Sequence, residues 1–391
     1  MRQIYLDYSA TTPVKPEVLE AMLPYFTENF GNPSSLYTTG SLSKDAIVKA
    51  REQVAHLIGA KEKEIFFTSS GTESDNWAIK GVAESLKEKG NHIITTMIEH
   101  PAVLRTCEYL ETKGYRVTYL PVDKEGLVSS RELAEAITSE TILISIMTVN
   151  NEIGTIQDIP ELCRLAKEQN KNVVFHTDAV QALGNMPIDV KAWGVDLMSI
   201  SGHKIYGPKG IGALYIKAGT RIANFMHGGS QEGKRRAGTE NLTGIVGFGK
   251  AAEVAERELE NHIHHSRELR DYFMDQVTQR IENVTLNGSR EHRHPGNVNF
   301  TFEFIEGEAM LLYLDMNGIA VSTGSACSSA SLTPSHVLSC LGVPLEMIHG
   351  SLRFTMGDYT TKEDLDYTID KLAEIVARLR SMSPVSKEKG W

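Results

Sequence analysis

The chain has 391 residues, 41% hydrophobic and 23% charged. It is long enough for two or three packed domains and too apolar to be disordered. Its 40 basic against 50 acidic residues leave a net charge of -10, which argues against a broad surface for nucleic acid or anionic membrane. Four cysteines without a CxxC pair exclude a disulfide framework, no apolar run is long enough to cross a bilayer, and the first eight residues read as a strand and not a signal peptide, so a cytoplasmic protein is expected.

From about residue 64 to 216, β-rich runs alternate with helical patterns: EIFFT and a helix over 73–89, HIITT and 102–113, TILISIM and 160–169, then NVVFHTD and DLMSIS. This alternation predicts an α/β fold with a largely parallel sheet covered on both faces. Ligands of such sheets lie beyond the carboxyl ends of the strands. A long helix of mixed charge, over about 243–282, separates this block from a smaller α+β unit. That unit reads as a strand NVNFTF, a helix over 308–316, a strand SLRFTM and a terminal helix over 362–380, with a frayed polar tail from about 381.

Three candidates sit at strand ends. Ser69-Ser70-Gly71-Thr72-Glu73 follows EIFFT and opens a helix near residue 76. Its small residues offer N–H groups and hydroxyls to a phosphate at a positive helix end, although an ordinary N-cap reads the same way. Asp178 ends NVVFHTD, where a buried carboxylate needs a cation or hydrogen bonds; a protonated pyridine nitrogen would serve, and a helix N-cap is the plainer alternative. Lys204 ends SISGHK ahead of the glycine-rich YGPKGIG, a place where partial desolvation would suit a Schiff-base lysine, while Ser201 and His203 of the same turn could reach a phosphate. A solvated turn lysine is the common alternative. Phosphate cradle, pyridine carboxylate and Schiff-base lysine occur in the order that one cofactor, pyridoxal 5'-phosphate, would need.

Cys327 lies in STGSACSSAS, a run of small residues with no apolar period, expected to be a mobile loop presenting a reactive thiol. Cys107, Cys163 and Cys340 sit among apolar helix residues and read as small buried hydrophobes. Arg353, in SLRFTM, needs an anion, either a substrate carboxylate or a structural partner. His100, in IEHP, could stack on a flat ring, relay protons or simply cap a helix. His262, His264, His265, His292 and His294 fall on a charged helix and a polar loop without cysteine ligands, so a solvated surface and no metal site are expected.

Taken together these residues resemble the cysteine desulfurases of the NifS and IscS type, within the class V, fold-type I pyridoxal-phosphate enzymes. The likeness spans nearly the whole chain, through YLDYSATTP (5–13), FGNPSS (30–35), TSSGTESDN (68–76), VNNEIGTIQ (149–157), HTDAVQALG (176–184), SGHKIYGPKGIG (201–212), RAGTEN (236–241) and STGSACSSAS (322–331). It implies a large αβα domain over 13–260 that binds the cofactor. It also implies a small α+β domain, 1–12 plus 261–391, carrying the catalytic cysteine loop at about 322–335. Lys204 would hold the cofactor covalently, Asp178 would pair with its ring nitrogen, and Gly71, Thr72, Ser201 and His203 would hold its phosphate. Asn151 and Gln181 would contact the ring hydroxyl side, His100 would stack on the ring, and Asn151 and Arg353 would meet the substrate. Thr239 would reach the phosphate bound by the partner subunit, which implies a homodimer.

The implied reaction takes L-cysteine to L-alanine with Lys204 moving the Cα proton, His100 assisting proton flow, and Cys327 receiving the sulfur as a persulfide. An acceptor protein, an iron-sulfur scaffold or a tRNA-thiolation enzyme, would take that sulfur onward. A class V aminotransferase or another pyridoxal-phosphate lyase would share Lys204 and Asp178 without needing Cys327. A non-catalytic sulfur-relay subunit could dispense with Lys204. Two departures from the family pattern, Ser9 and the run GSQEGK (229–234), are expected to lie outside the direct chemistry.

Overall fold

Adjacent residues of a strand face opposite sides of its sheet, and the central runs supply large apolar residues for both: Ile93 and Ile94, Leu143 and Ile144, Val174 and Phe175, and Leu197 and Met198 are all buried. The computed structural model describes residues 3–323 and 334–383; Cys327 and the end of the tail lie outside the described residues.

After a short first strand, β1 (Ile4–Tyr5), come β2 (Ile65–Thr68), β3 (His92–Thr96), β4 (Arg116–Leu120), β5 (Thr141–Ser145), β6 (Val174–Asp178), β7 (Leu197–Ser201) and β8 (Gly212–Ile216). β2 to β8 form one sheet in the order β2-β8-β7-β6-β5-β3-β4. β8 alone runs antiparallel to its neighbours, so the carboxyl ends of the other six lie along one edge. Helices cover both faces, as the alternating pattern predicts. Two strands of this sheet were not foreseen: β4, an edge strand that is only partly buried, and β8, which follows a glycine-rich run.

The remaining strands are β9 (Val284–Leu286), β10 (Asn297–Phe302), β11 (Ile319–Ala320) and β12 (Ser351–Thr355). β12, β10 and β9 make a three-stranded antiparallel sheet, and β1 pairs in parallel with β11. A second core gathers around it, in which Leu6 from the start of the chain packs with Phe273, Phe300, Phe354 and Leu372. The helix Leu242–Arg280, about 58 Å long at 1.5 Å per residue, serves both cores. Its first half contributes Ile245, Phe248 and Ala252 to the core under the large sheet, and its second half Leu269, Phe273 and Val277 to the other.

Three local expectations change. The helix expected near residue 76 starts at Gly71, because the Ser70 hydroxyl accepts the Glu73 N–H at 3.1 Å and caps it there. The stretch over 9–63, where no element was expected, holds helices Pro16–Met22 and Thr38–Leu57, the latter packed along the long helix. The five histidines are not one solvated surface. His294 is buried, and His262 is drawn inward between Asp358 (2.5 Å) and Asn185 (2.9 Å); His264 and His292 remain exposed.

Candidate active site

Lys204 is placed by the turn Gly202–Lys204 that follows β7. Its ammonium donates to the Ala10 carbonyl at 2.8 Å and to the Ser9 carbonyl, and the Gln181 side-chain amide donates to the same Ser9 oxygen at 2.9 Å. Ser9, expected outside the chemistry, therefore has its main chain against the lysine, because the segment after it runs beside the turn that follows β7, the Thr12 N–H donating to the His203 carbonyl at 3.1 Å. Tyr206, two residues on, adopts a left-handed φ of 62°, a conformation that costs a residue with a side chain about 1–3 kcal/mol. Opposing that strain, the Tyr206 N–H donates to Thr12 Oγ1 (2.8 Å) and its hydroxyl accepts the Asp358 N–H (2.7 Å).

Asp178 closes β6 with one carboxylate oxygen accepting the Val180 N–H at 2.9 Å. Burial pushes this carboxyl up, while His100, the Val180 N–H and Lys204 pull it down. A cationic ring nitrogen is the partner that this buried acid calls for. On the phosphate side, Ser201 Oγ is buried with no hydrogen-bond partner among the described residues, and a Cβ at Gly71 would come within 2.6 Å of Val180 Cγ2. Gly71 and Thr72 open the first turn of a 16-residue helix, so N–H groups and a positive helix end are available to an anion there. His203, 3.1 Å from Thr11 Oγ1, is held down to about 4 by burial and by Lys204 and Lys209, which leaves it a neutral donor. These residues fit pyridoxal phosphate in ring, phosphate and lysine.

His100 caps the helix Pro101–Glu111: its Nδ1 accepts the Ala102 N–H at 3.1 Å. The neutral ring therefore carries its proton on Nε2. Burial lowers its pKa, with Asp178 opposing and Lys204 adding to the effect, so the capping histidine also belongs electrostatically to the site. Arg353, 2% exposed, donates to the Asn151 carbonyl at 2.7 Å and to Asp7 Oδ1 at 2.7 Å, while its Nε is buried without a hydrogen-bond partner among the described residues. The structural ion pair is present, and it brings Asn151 beside the guanidinium.

Sequence reasoning missed a group of buried acids beneath this site. Asp75 Oδ1 lies 3.7 Å from His176 Nε2, and His176 sits 2.9 Å from both Ser145 Oγ and Ser199 Oγ. Glu99 accepts from Thr96 Oγ1 (2.8 Å) and the Met147 N–H (2.9 Å) on one oxygen, leaves the other unpartnered, and is pushed up to about 8 by burial. The only signal in the sequence is an ionisable letter inside or next to an apolar run. The GSQEGK stretch is a second surprise. Glu232 is buried, receives two bonds from Arg51 (2.7 and 2.8 Å) and one from the Phe67 N–H (2.9 Å), and so bolts the segment to β2. Arg236 then pairs with Glu73 at 2.8 Å, leaving Thr239 exposed. Cys107 and Cys163 are buried and pushed up to about 12 and 11, poor prospects as nucleophiles.

A lysine at the end of a sheet strand, a buried carboxylate on the same sheet edge and an open helix N-terminus beside them fit a fold-type I pyridoxal-phosphate enzyme. Consistent with this, the aminotransferase class-V family model matches residues 4–368. The cysteine desulfurase IscS of Dictyoglomus turgidum is 57% identical over 387 residues, 99% of this chain and 98% of that protein. Among solved structures, a NifS-like protein superposes with a TM-score of 0.92 at 39% identity, covering 97% of this chain and 100% of the other. SspA, solved in complex with cysteine, has a TM-score of 0.81 at 37% identity over 92% of this chain and 100% of its own. The chain belongs to the class-V aminotransferase family and, within it, to the cysteine desulfurases of the IscS and NifS type.

Proposed function

We propose that the protein removes the sulfur of L-cysteine, releasing L-alanine and leaving a persulfide on Cys327. The observation that carries this reading is the set of Lys204, Asp178 and the unpartnered Ser201 hydroxyl on one sheet edge, in a chain 57% identical to a cysteine desulfurase over nearly its full length. Bound pyridoxal phosphate supplies the electron sink that makes the substrate Cα proton acidic and lets the Cβ–S bond break. Gly71, Thr72, Ser201 and His203 would hold its phosphate and Asp178 its ring nitrogen, with Asn151 and Gln181 on the hydroxyl side. Asn151 and Arg353, whose Nε is uncommitted, hold the substrate carboxylate. Lys204 would take the Cα proton, and His100, protonated on Nε2, would stack on the cofactor ring and pass protons. The Cys327 thiolate forms a bond to the substrate sulfur as Cβ–S breaks; the electron pair left on Cβ takes up a proton, giving the alanine methyl.

The small domain formed by 1–12 and 261–391 would keep the core around Phe273 and Phe300, and the large domain over 13–260 the two clusters on the faces of its sheet. We also propose a homodimer in which Thr239 completes the partner's phosphate site. Leu23, Phe26, Phe30 and Leu36 are exposed apolar residues in one short stretch, and Arg235 Nη1 and Glu240 Oε2, flanking Thr239, are buried with no partner among the described residues. An acceptor protein, an iron-sulfur scaffold or a tRNA-thiolation enzyme, would receive the persulfide sulfur. The unpaired thiols of Cys107, Cys163 and Cys340 suit the reducing cytoplasm, and among the described residues no helix is long and apolar enough to cross a membrane. Incubation with L-cysteine followed by mass spectrometry tests the reading: one added sulfur is expected on the Cys327 peptide. Undiminished sulfur release by Cys327→Ser would exclude the nucleophile assignment.

A further inference from the structure

The chain re-enters the described structure after residue 333 at a point held by two side chains that the reaction does not use. The Ser335 hydroxyl donates to Glu152 Oε2 at 2.5 Å and accepts the Leu338 N–H at 3.2 Å, so it is buried and doubly committed. Glu152 follows Asn151 in the chain. Its N–H donates to Asn150 Oδ1 (2.9 Å) and its carbonyl accepts from the side chains of Asn297 (3.4 Å) and Asn299 (3.1 Å), so its main chain is held on both sides. One residue beyond Ser335, His336 Nε2–H donates to the carbonyl of Glu99, the neighbour of His100, at 3.1 Å. Ahead of residue 324, Ser322 and Arg353 exchange both of their backbone hydrogen bonds, at 3.2 and 2.7 Å. The two roots of the segment that carries Cys327 are thus fixed to Arg353 on one side and to the neighbours of Asn151 and His100 on the other.

Apolar contacts already seat the helix His336–Cys340: Val337 and Leu338 pack with Ile98, Ile153 and Ile348. Such packing is non-directional, whereas a buried hydrogen bond to a carboxylate fixes orientation as well as proximity. We propose that Glu152 and Ser335 are positioning residues, whose buried hydrogen bond fixes this root of the segment and sets the rate at which Cys327 takes sulfur from bound substrate. The inference rests on Cys327 as the sulfur acceptor in the proposed function.

The test uses the full-length holoenzyme and two readouts. Substrate affinity is read from the change in visible absorbance as L-cysteine is added, and sulfur transfer from the single-turnover appearance of persulfide on the Cys327 peptide. For Ser335→Ala, half-saturation should stay within about twofold of wild type while the persulfide rate falls roughly tenfold or more, the order expected when a reacting group is misplaced. Ser335→Thr, which keeps the hydroxyl, should restore most of the rate. The near-isosteric Glu152→Gln should give a smaller fall, since a neutral acceptor bonds more weakly, and it carries the test should Ser335→Ala fold poorly. The double variant should be little worse than Ser335→Ala, as expected for two groups acting through one bond. A persulfide rate unchanged in both single variants, or affinity and rate falling together, would overturn the inference while a persulfide on wild-type Cys327 kept the functional reading intact. No persulfide on the wild type would overturn both.

Discussion

Glu99→Gln should make the protein more stable relative to wild type as the pH rises. The Glu99 carboxyl is fully buried, and burial lifts it from 4.5 to about 8 in the folded state. Between those values the folded protein holds a proton that the unfolded chain releases, so wild-type stability falls as pH climbs through this window, by roughly 1.4 kcal/mol per pH unit. At pH 7 the accumulated penalty is about 3 kcal/mol. A glutamine at this position keeps the acceptor for Thr96 and the Met147 N–H and has no proton to lose. Its amide hydrogens replace an oxygen that has no partner, which costs a pH-independent 1–3 kcal/mol or so and lowers the whole curve. The slope, not the offset, therefore carries the argument. Urea unfolding of both holoenzymes at pH 5.5, 6.5 and 7.5 measures it: the stability of the variant minus that of wild type should rise by about 1 kcal/mol or more per pH unit. Parallel curves would show that Glu99 is ionised in the folded protein and that the reasoning is wrong.

Arg51→Ala should cost about 3–5 kcal/mol in urea unfolding, because it leaves the buried Glu232 carboxylate with only the Phe67 N–H; adding Glu232→Gln should recover part of the loss, and additive effects would count against the pair. Asp178→Asn should lower kcat by at least about 100-fold and speed loss of visible absorbance on dialysis, since an amide cannot balance a cationic ring nitrogen; retained turnover would remove Asp178 from the site. His100→Ala should lose both the helix cap, about 1 kcal/mol, and activity, by roughly 100-fold or more. His100→Asn should restore the cap in thermal unfolding and leave activity low, and recovery of both would reduce His100 to a cap.

What the sequence showed was local. Strands of β-branched residues, the small residues at 69–73 and the glycine-flanked Lys204 announce themselves within a dozen positions, and each lies on the sheet edge where alternation of strand and helix placed it. What it hid depends on distant chain. Asp7 and Arg353 meet across 346 positions, so the arginine's resident anion could not be read from SLRFTM alone. Glu99, Asp75 and Glu232 look like ordinary surface acids until packing buries them. Helix Thr38–Leu57 opens on TTGS, poor helix formers that mask its start, although its buried Ile47, Ala50, Val54 and Leu57 stand at helical spacing and were a legible signal. β8 hides because glycine-rich sequence ahead of it reads as loop.

The pairing of β1 with β11 joins Ile4 to Ile319, which constrains the order of events on the ribosome. At about 5–20 residues per second, the first strand must wait roughly 15–60 s for its partner to be synthesised. Ser9 and Ala10, whose carbonyls receive Lys204, lie just beyond that strand. The earlier of the reactive lysine's two acceptors is thus made 195 residues ahead of it, beside a strand whose own partner follows later still, so a nascent chain can complete its large sheet before that strand is paired.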